Sequence, residues 1–579
     1  MEKYYTNERN VQMLIYLLKE HGIRKIIASP GTTNLTFVGS VQNDSYFQVY
    51  SSVDERSAAY LACGMAEESG EPVVLSCTGA TASRNYFPGL TEAYYNKIPV
   101  LAVTSTQHPG RIGHNMPQVI DRTNQPNDTV LMSKQVRAIA TEEDAWDAVV
   151  SINEALLELR HRGGGPVHIN LQTTYSRDYS VQKLPAIRVI NRICYKDALP
   201  KLKVARVGIF VGEHVKWSAD LTANVEVFCE KYNAVVFCDQ TSNYKGRYAV
   251  YPHLVCSQDM YQADVKNVDI LIHIGNISGS SMHMCPKEVW RVNPDGKVRD
   301  TFRKLKYVFE MEEIDFFKKY NERVAVTKLN SFFDEWKIEC DKFEQKSYVL
   351  PFSNVWIAKQ TVAKLPDNAS VYFAILNTLR SWDYFSAPQG ITGYSNTGGF
   401  GIDGGLSTII GASLVNPDKL YFAIIGDLSF FYDMNVLGNR HVGNNIRILL
   451  LNNASGTEFT NYNHPGAEFG EDAKAYIAAA GHFGNKSEKL VHHYAEDLGF
   501  TYQSAHTKEE YLEHLEDFVS ATSTSQSMVF EVFTNSEDES QAIHIMRSLE
   551  VDSKMATKSK IKAAIGKERV ATLKKIIGK

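Results

Sequence analysis

Residues 420–458 read LYFAIIGDLSFFYDMNVLGNRHVGNNIRILLLNNASGTE. The apolar run 420–425 is too short for a helix and stops at Gly426-Asp427, which predicts a buried strand. A helical pattern follows through Phe431, Met434, Val436 and Leu437. A second apolar run, 446–451, stops at Asn452-Asn453. Strand, helix and strand at this length make one βαβ unit with parallel strands. Asp427 and Asn453 then fall at the carboxyl ends of neighbouring strands, where open α/β sheets bind ligands. A carboxylate, an amide oxygen and a nearby backbone carbonyl are hard donors that suit Mg2+ shared with phosphate oxygens. Gly426 permits close approach of a diphosphate, and a helix starting near Ser429 turns its positive end towards it. A bare Gly-Asp also fits an ordinary strand–turn–helix with a polar tip. The pairing with Asn-Asn at the end of the next strand points to a ligand.

Working outward, the same pattern recurs. In the first 185 residues, short apolar runs at 24–28, 47–53, 72–77 and 99–104 predict strands. They alternate with amphipathic helices at 11–19 and 57–68. Polar or glycine-rich tips follow the strands: Ser29-Pro30-Gly31, Asp54-Glu55 and Thr78-Gly79-Ala80-Thr81. This predicts an α/β fold whose parallel sheet has one functional edge. Residues 204–212 and 268–275 are strand-plus-glycine patterns of a second α/β unit. No GxGxxG follows either, so no dinucleotide site is signalled. A charged helix is expected at 334–346, then a linker near 347–351. Before the opening motif comes SNTGGFGIDGGLSTIIGASL, from Ser395, with a helix expected at 406–414. After Asn453, residues 454–471 read as a long irregular loop, and long loops at strand ends are often lids. His464 in that loop could shuttle protons or lie at the surface. The tail 551–579 is basic and reads as an amphipathic helix broken by Gly566, suited to docking. No internal repeat or low-complexity block stands out.

Composition sets the class. The chain has 579 residues, 44% hydrophobic and 22% charged, which is ordinary for a globular protein of several domains. A net charge of −5 gives no reason to expect a nucleic acid or an anionic membrane as partner. The eight cysteines form no CxxC pair, so neither zinc knuckles nor a disulfide framework are signalled. No apolar run reaches membrane-span length, and MEKYYTNERN lacks the apolar core of a signal peptide. A cytoplasmic location is the expectation.

The Gly-Asp, spacer, Asn-Asn pattern resembles that of the thiamine diphosphate enzymes. VDERSAAYLACGMAEESGEPVVLSCTGATASRNYFPGL, from Val53, is similar to their pyrimidine-binding domain. The resemblance extends over roughly residues 10–550. It implies three domains, each a parallel sheet flanked by helices: a pyrimidine-binding domain at 1–185, a central Rossmann-like domain at 186–346, and a diphosphate-binding domain at 352–550. It implies thiamine diphosphate and Mg2+ as cofactors, with the metal held by Asp427, Asn453 and the Ser455 carbonyl. Glu55 would hydrogen-bond the pyrimidine ring and so promote proton transfer within the cofactor. Thr78 and Gly79 would border the cofactor, as would Gly426, Leu428 and Ser429, and Ile402 would support its bent form. Gln118 would line the active site. The family builds each site from two subunits, so a homodimer or homotetramer is implied.

Within that family, GDLSFFYDMN looks most like the SEPHCHC synthases of menaquinone biosynthesis. These are decarboxylating carboligases that grip 2-oxoglutarate and isochorismate with cationic side chains. The matching positions here are Thr33, Gln107, Ser281, Trp382 and Thr397, and a matched lysine becomes Ser280. Arg380 could substitute for one loss, and His108 lies beside Gln107. Each lost charge-assisted hydrogen bond costs about 1.5–3 kcal/mol. The expectation is a carboligase of this lineage that joins a small 2-oxoacid donor to another acceptor. A simple 2-oxoacid decarboxylase releasing an aldehyde, a SEPHCHC synthase, and a cofactor-binding protein without catalysis are the competing possibilities.

Overall fold

The computed structural model describes residues 3–202, 206–280, 282–323, 331–481 and 487–552. The expected tail helix, apart from its first two residues, and Ser281 lie outside these. The chain divides into two compact units. One comprises Met1–Asp197 with Gly296–Glu310; the other comprises the described parts of Ala198–Asp295 and Met311–Lys579.

Among the described residues the fold is α/β with three parallel sheets of six, seven and six strands. The first sheet holds β1 (Lys25–Ala28), β2 (Gln48–Ser51), β3 (Val73–Cys77), β4 (Val100–Thr106), β5 (Met132–Val136) and β6 (Val167–Gln172), in the order β2-β1-β3-β4-β6-β5. In the middle sheet, β7 (Asn191–Cys194) pairs with β13 (Leu305–Glu310) in the first unit. In the second unit, β8 (Val207–Val211), β9 (Ala234–Phe237), β10 (Ala249–Val250), β11 (Asn267–Ile274) and β12 (Cys285–Val292) pair as β10-β9-β8-β11-β12. The third sheet holds β14 (Ser370–Phe373), β15 (Thr392–Tyr394), β16 (Tyr421–Gly426), β17 (Ile446–Asn452), β18 (Thr501–Ala505) and β19 (Met528–Phe533), in the order β15-β14-β16-β17-β19-β18.

Numbered from its own first strand, each six-stranded sheet runs 2-1-3-4-6-5. The topology therefore repeats although the sequence shows no repeat. Each sheet reverses its winding between its first and third strands, which opens a crevice at their carboxyl ends. Helices cover both faces, so β3, β4 and β17 are buried along their whole length. The helix Arg9–Glu20 buries Val11, Leu14, Ile15 and Leu18 against the first sheet.

Small boundary corrections follow from capping. Asp54 caps the helix Glu55–Ser69, its carboxylate accepting from the amides of Arg56 and Ser57. Glu55 is therefore in the first helical turn, four residues past the end of β2. The helix after β16 starts at Asp427 itself and lasts seven residues before a 3-10 turn, Met434–Gly438. The loop after Asn453 is not irregular throughout: it holds 3-10 turns at Thr457–Thr460 and Pro465–Asp472.

Candidate active site

In the third sheet, Gly426 pairs with Leu451, so Asp427 and Asn453 leave adjacent strands at the same edge. A cavity opens there between the ends of β14 and β16. Ile375, Asn377, Ile402, Gly426 to Ser429, Asn453, Ser455 and Glu458 are among its lining residues. Asp427 is 4% exposed. Burial pushes its carboxyl up to about 7, opposed by amides of Leu428, Ala454 and Ser455. Asn453 Oδ1 is enclosed and accepts no hydrogen bond from the described residues. Its amide nitrogen donates to Thr457 Oγ1 (3.4 Å). A desolvated carboxylate beside an unpartnered amide oxygen fits a hard divalent cation better than any neutral occupant. The Ser455 carbonyl accepts from the Thr457 amide (3.0 Å) and keeps a second lone pair for a metal. A Cβ placed on Gly426 would meet nothing within 4 Å, so this backbone faces open space that a diphosphate can use. The Ser429 hydroxyl donates to the Ile402 carbonyl, which ties the glycine-rich loop to the helix after β16.

The two asparagines have separate tasks. Asn452 donates to Glu531 Oε1 (2.7 Å) on β19 and accepts from the Ala454 amide (3.2 Å). It holds the strand end, which leaves Asn453 to present its oxygen. Ala454 is held at φ 64° and Leu376, which caps the helix Asn377–Trp382 after β14, at φ 65°. Left-handed backbone is costly for residues with a side chain, and such strain collects at functional sites.

In the first sheet the equivalent crevice is framed by Thr33 and Thr78, whose hydroxyls lie 2.6 Å apart. Thr33 Oγ1 also donates to the Ser105 carbonyl (3.1 Å) and accepts from the Gly79 amide (3.2 Å). Thr33 thus braces the Thr78-Gly79 turn. Gly79 is required by close packing: an added Cβ would lie 2.9 Å from the Gln118 carbonyl oxygen. Gln118 is exposed with φ 63°. Glu55 is half-buried and accepts from the Asn85 amide group (3.3 Å). Gln107 accepts from Arg111, and the exposed His108 caps a 3-10 turn by accepting from the Gly110 amide (3.0 Å).

The remaining expected substrate residues have partners in the second unit. Thr397 is buried and donates to Glu213 Oε2 (3.0 Å). Arg380 is ion-paired with Glu458. Trp382 is fully buried against Phe373 in the core, its indole donating to Asn354 Oδ1 (3.2 Å), so it offers no face to a ligand. His464 accepts from the Gly466 amide (3.0 Å) and sits edge-on to Phe459, a local structural placement. Ser280 is bonded to His253 Nδ1 (2.7 Å), a buried imidazole pushed down to about 3 by desolvation. Sequence reasoning missed Glu213, Glu458 and Glu531. Each lies far along the chain from its partner, and no local pattern marks it.

Residues 9–125 match the family described as "Thiamine pyrophosphate enzyme, N-terminal TPP binding domain", and residues 377–532 match its "C-terminal TPP binding domain". With Glu55, Thr78 and Gly79 in the first matched segment and Asp427 and Asn453 in the second, the chain belongs to the thiamine diphosphate enzymes. It is similar along most of its length to proteins named 2-succinyl-5-enolpyruvyl-6-hydroxy-3-cyclohexene-1-carboxylate synthase. That of Bacteroides fragilis is 31% identical, covering 92% of this chain and 97% of the relative. Those of Phocaeicola vulgatus and Bacteroides thetaiotaomicron are each 30% identical with the same coverage. None of the described helices is long and apolar enough to cross a membrane.

Proposed function

We propose that this enzyme decarboxylates a 2-oxoacid and joins the resulting acyl unit to an acceptor carbonyl, using thiamine diphosphate and Mg2+. The observation that carries the metal-dependent reading is the unpartnered oxygen of Asn453 beside the buried carboxylate of Asp427. Asp427, Asn453 and the Ser455 carbonyl hold the metal, and the open face of Gly426 admits the diphosphate. When bound, thiamine diphosphate supplies the electron sink for loss of carbon dioxide. Glu55 holds a proton at the pyrimidine ring, Ile402 orients the cofactor, and Gln118 faces the reacting atoms. In this reading Glu55 and Asp427 come from different copies of the chain, in a homodimer or homotetramer; mass in solution tests that.

The donor and acceptor differ from 2-oxoglutarate and isochorismate. Arg380 is already neutralised by Glu458, and Thr397 is bonded to Glu213 rather than free. A small 2-oxoacid and a neutral or polyhydroxylated acceptor suit these surroundings. The name shared by the relatives favours a second reading, SEPHCHC synthase itself. Assay of SEPHCHC formation separates the two: efficient turnover sinks the changed-substrate reading. Product analysis of a 2-oxoacid panel, with and without an added aldehyde or ketone, distinguishes ligation from simple decarboxylation. Absence of heat on titrating thiamine diphosphate with Mg2+ would remove the cofactor reading altogether.

A further inference from the structure

Arg122 lies four residues beyond Gln118 and is 2% exposed. Its Nη2 donates to the Ser105 carbonyl (2.9 Å). Its Nε and Nη1 are enclosed, and among the described residues neither has a hydrogen-bond partner; Ser105 Oγ is equally unpartnered. Nη1 stands 3.4 Å from where a Cβ on Gly79 would lie, so the guanidinium flanks the turn that Thr33 braces. Arg84, which donates to the Asp121 carbonyl (2.8 Å), brings a second cation to bear on it. Burial and then Arg84 push the Arg122 guanidinium down to about 10, against an opposing effect of the Cys77 thiol, so it stays charged at neutral pH.

An ion of this kind, buried without a counter-charge, costs several kcal/mol. Among the described residues one carbonyl bond is all the guanidinium makes, too little to offset that cost. Unsatisfied buried donors in a native protein call for a missing acceptor. The acceptor that matches unsatisfied donors on a buried guanidinium is an anion, and a carboxylate oxygen takes such a donor in a charge-assisted hydrogen bond.

The geometry points to a carboxylate-binding site at Arg122, where the unsatisfied donors of the guanidinium take the carboxylate of the 2-oxoacid and Arg84 adds to the attraction. This rests on the decarboxylating function proposed above. It also accounts for Thr33, Gln107 and Thr397 being uncharged: the substrate's negative charge is met from the Gln118–Arg122 segment instead. Both nitrogens are closed to solvent, so the ligand reaches them by displacing that segment, in which Gln118 already occupies a costly left-handed conformation.

The test uses the full chain with thiamine diphosphate and Mg2+, the variants Arg122→Met and Arg84→Gln, and pyruvate, 2-oxobutyrate and 2-oxoglutarate as probes. In Arg122→Met, affinity for whichever acid binds the wild type best falls roughly 10- to 100-fold. The melting temperature without acid stays level or rises, because a lone buried charge has gone. Heat from cofactor binding is unchanged. Arg84→Gln weakens the acid by about 3- to 10-fold. A structural arginine would behave oppositely: a lowered or lost melting transition in Arg122→Met, or unchanged acid affinity in both variants, overturns the proposal. Saturable binding of none of the three acids by wild type also overturns it. Loss of cofactor heat in the wild type instead marks failure of the cofactor reading, and the ligand-free melting comparison still reports on Arg122.

Discussion

The first and third sheets share one strand order, yet their crevices have opposite needs. At the third, among the described residues, an oxygen lacks a partner: Asn453 Oδ1 is unbonded, beside an Asp427 carboxyl that is desolvated. At the first, donors lack partners among the described residues: Arg122 Nε and Nη1 are enclosed and unbonded. A cation completes one and an anion the other. The same backbone plan therefore supports two binding tasks, and the side chains at the strand ends choose between them. Fold alone assigns neither.

That contrast can be broken experimentally. The largest effect is expected for Glu55→Gln, which keeps a hydrogen-bonding group but removes the carboxylate that holds the ring proton: turnover falls about 100- to 10,000-fold while cofactor affinity holds. Steady-state kinetics beside calorimetry checks both halves. Next comes Asp427→Asn, which should weaken Mg2+-dependent cofactor binding by about 100-fold or more. The ligand-free protein should be no less stable, since a buried carboxylate has been neutralised. A lower melting temperature without ligand would mean that Asp427 is structural.

A matched pair of glycine substitutions sharpens the comparison. Gly426→Ala places its methyl in open space at φ −79°, so stability should hold or rise by about 0.4–1 kcal/mol. Cofactor affinity should fall, because the methyl takes room the diphosphate needs. Gly79→Ala meets the Gln118 carbonyl at 2.9 Å and should cost about 1–3 kcal/mol of stability in denaturant titration. Equal behaviour of the two would erase the distinction drawn between the crevices.

The smallest expected effect concerns pH. Glu539 is fully buried, accepts from the Asn354 amide (3.0 Å), and is pushed up to about 7 by desolvation. The folded state then holds a proton that the unfolded chain releases near pH 4. Stability of the ligand-free protein should fall as pH rises from about 4 to about 7. Glu539→Gln should flatten that slope, measured as melting temperature against pH; an unchanged slope assigns it to other groups such as Asp427.

Much of the third crevice was legible in the linear chain. Gly426, Asp427, Asn452 and Asn453 fall within one strand–turn–helix–strand segment, and apolar runs mark its strands. Local patterns of this kind survive folding because each strand end is set by its own neighbours. The first crevice was legible only in part. Thr78, Gly79 and Glu55 stand in recognisable strand-end and helix-start positions, but Arg122 looks like any loop arginine. Thr33, expected as a substrate contact, is a brace for the Gly79 turn. Trp382 is core, because its segment became a short helix, Asn377–Trp382, packed under the third sheet.

Alternating apolar runs and polar tips were enough to predict an α/β fold, because they are written in consecutive residues, and the resemblance of the Gly-Asp…Asn-Asn motif added the thiamine diphosphate family. Tertiary structure alone decided which charges meet and which stay unmet. Arg380 is matched by Glu458, 78 residues away, and Arg122 by no carboxylate among the described residues. Electrostatic pairing depends on distance in space and on exclusion of water, and neither is encoded in the order of the residues.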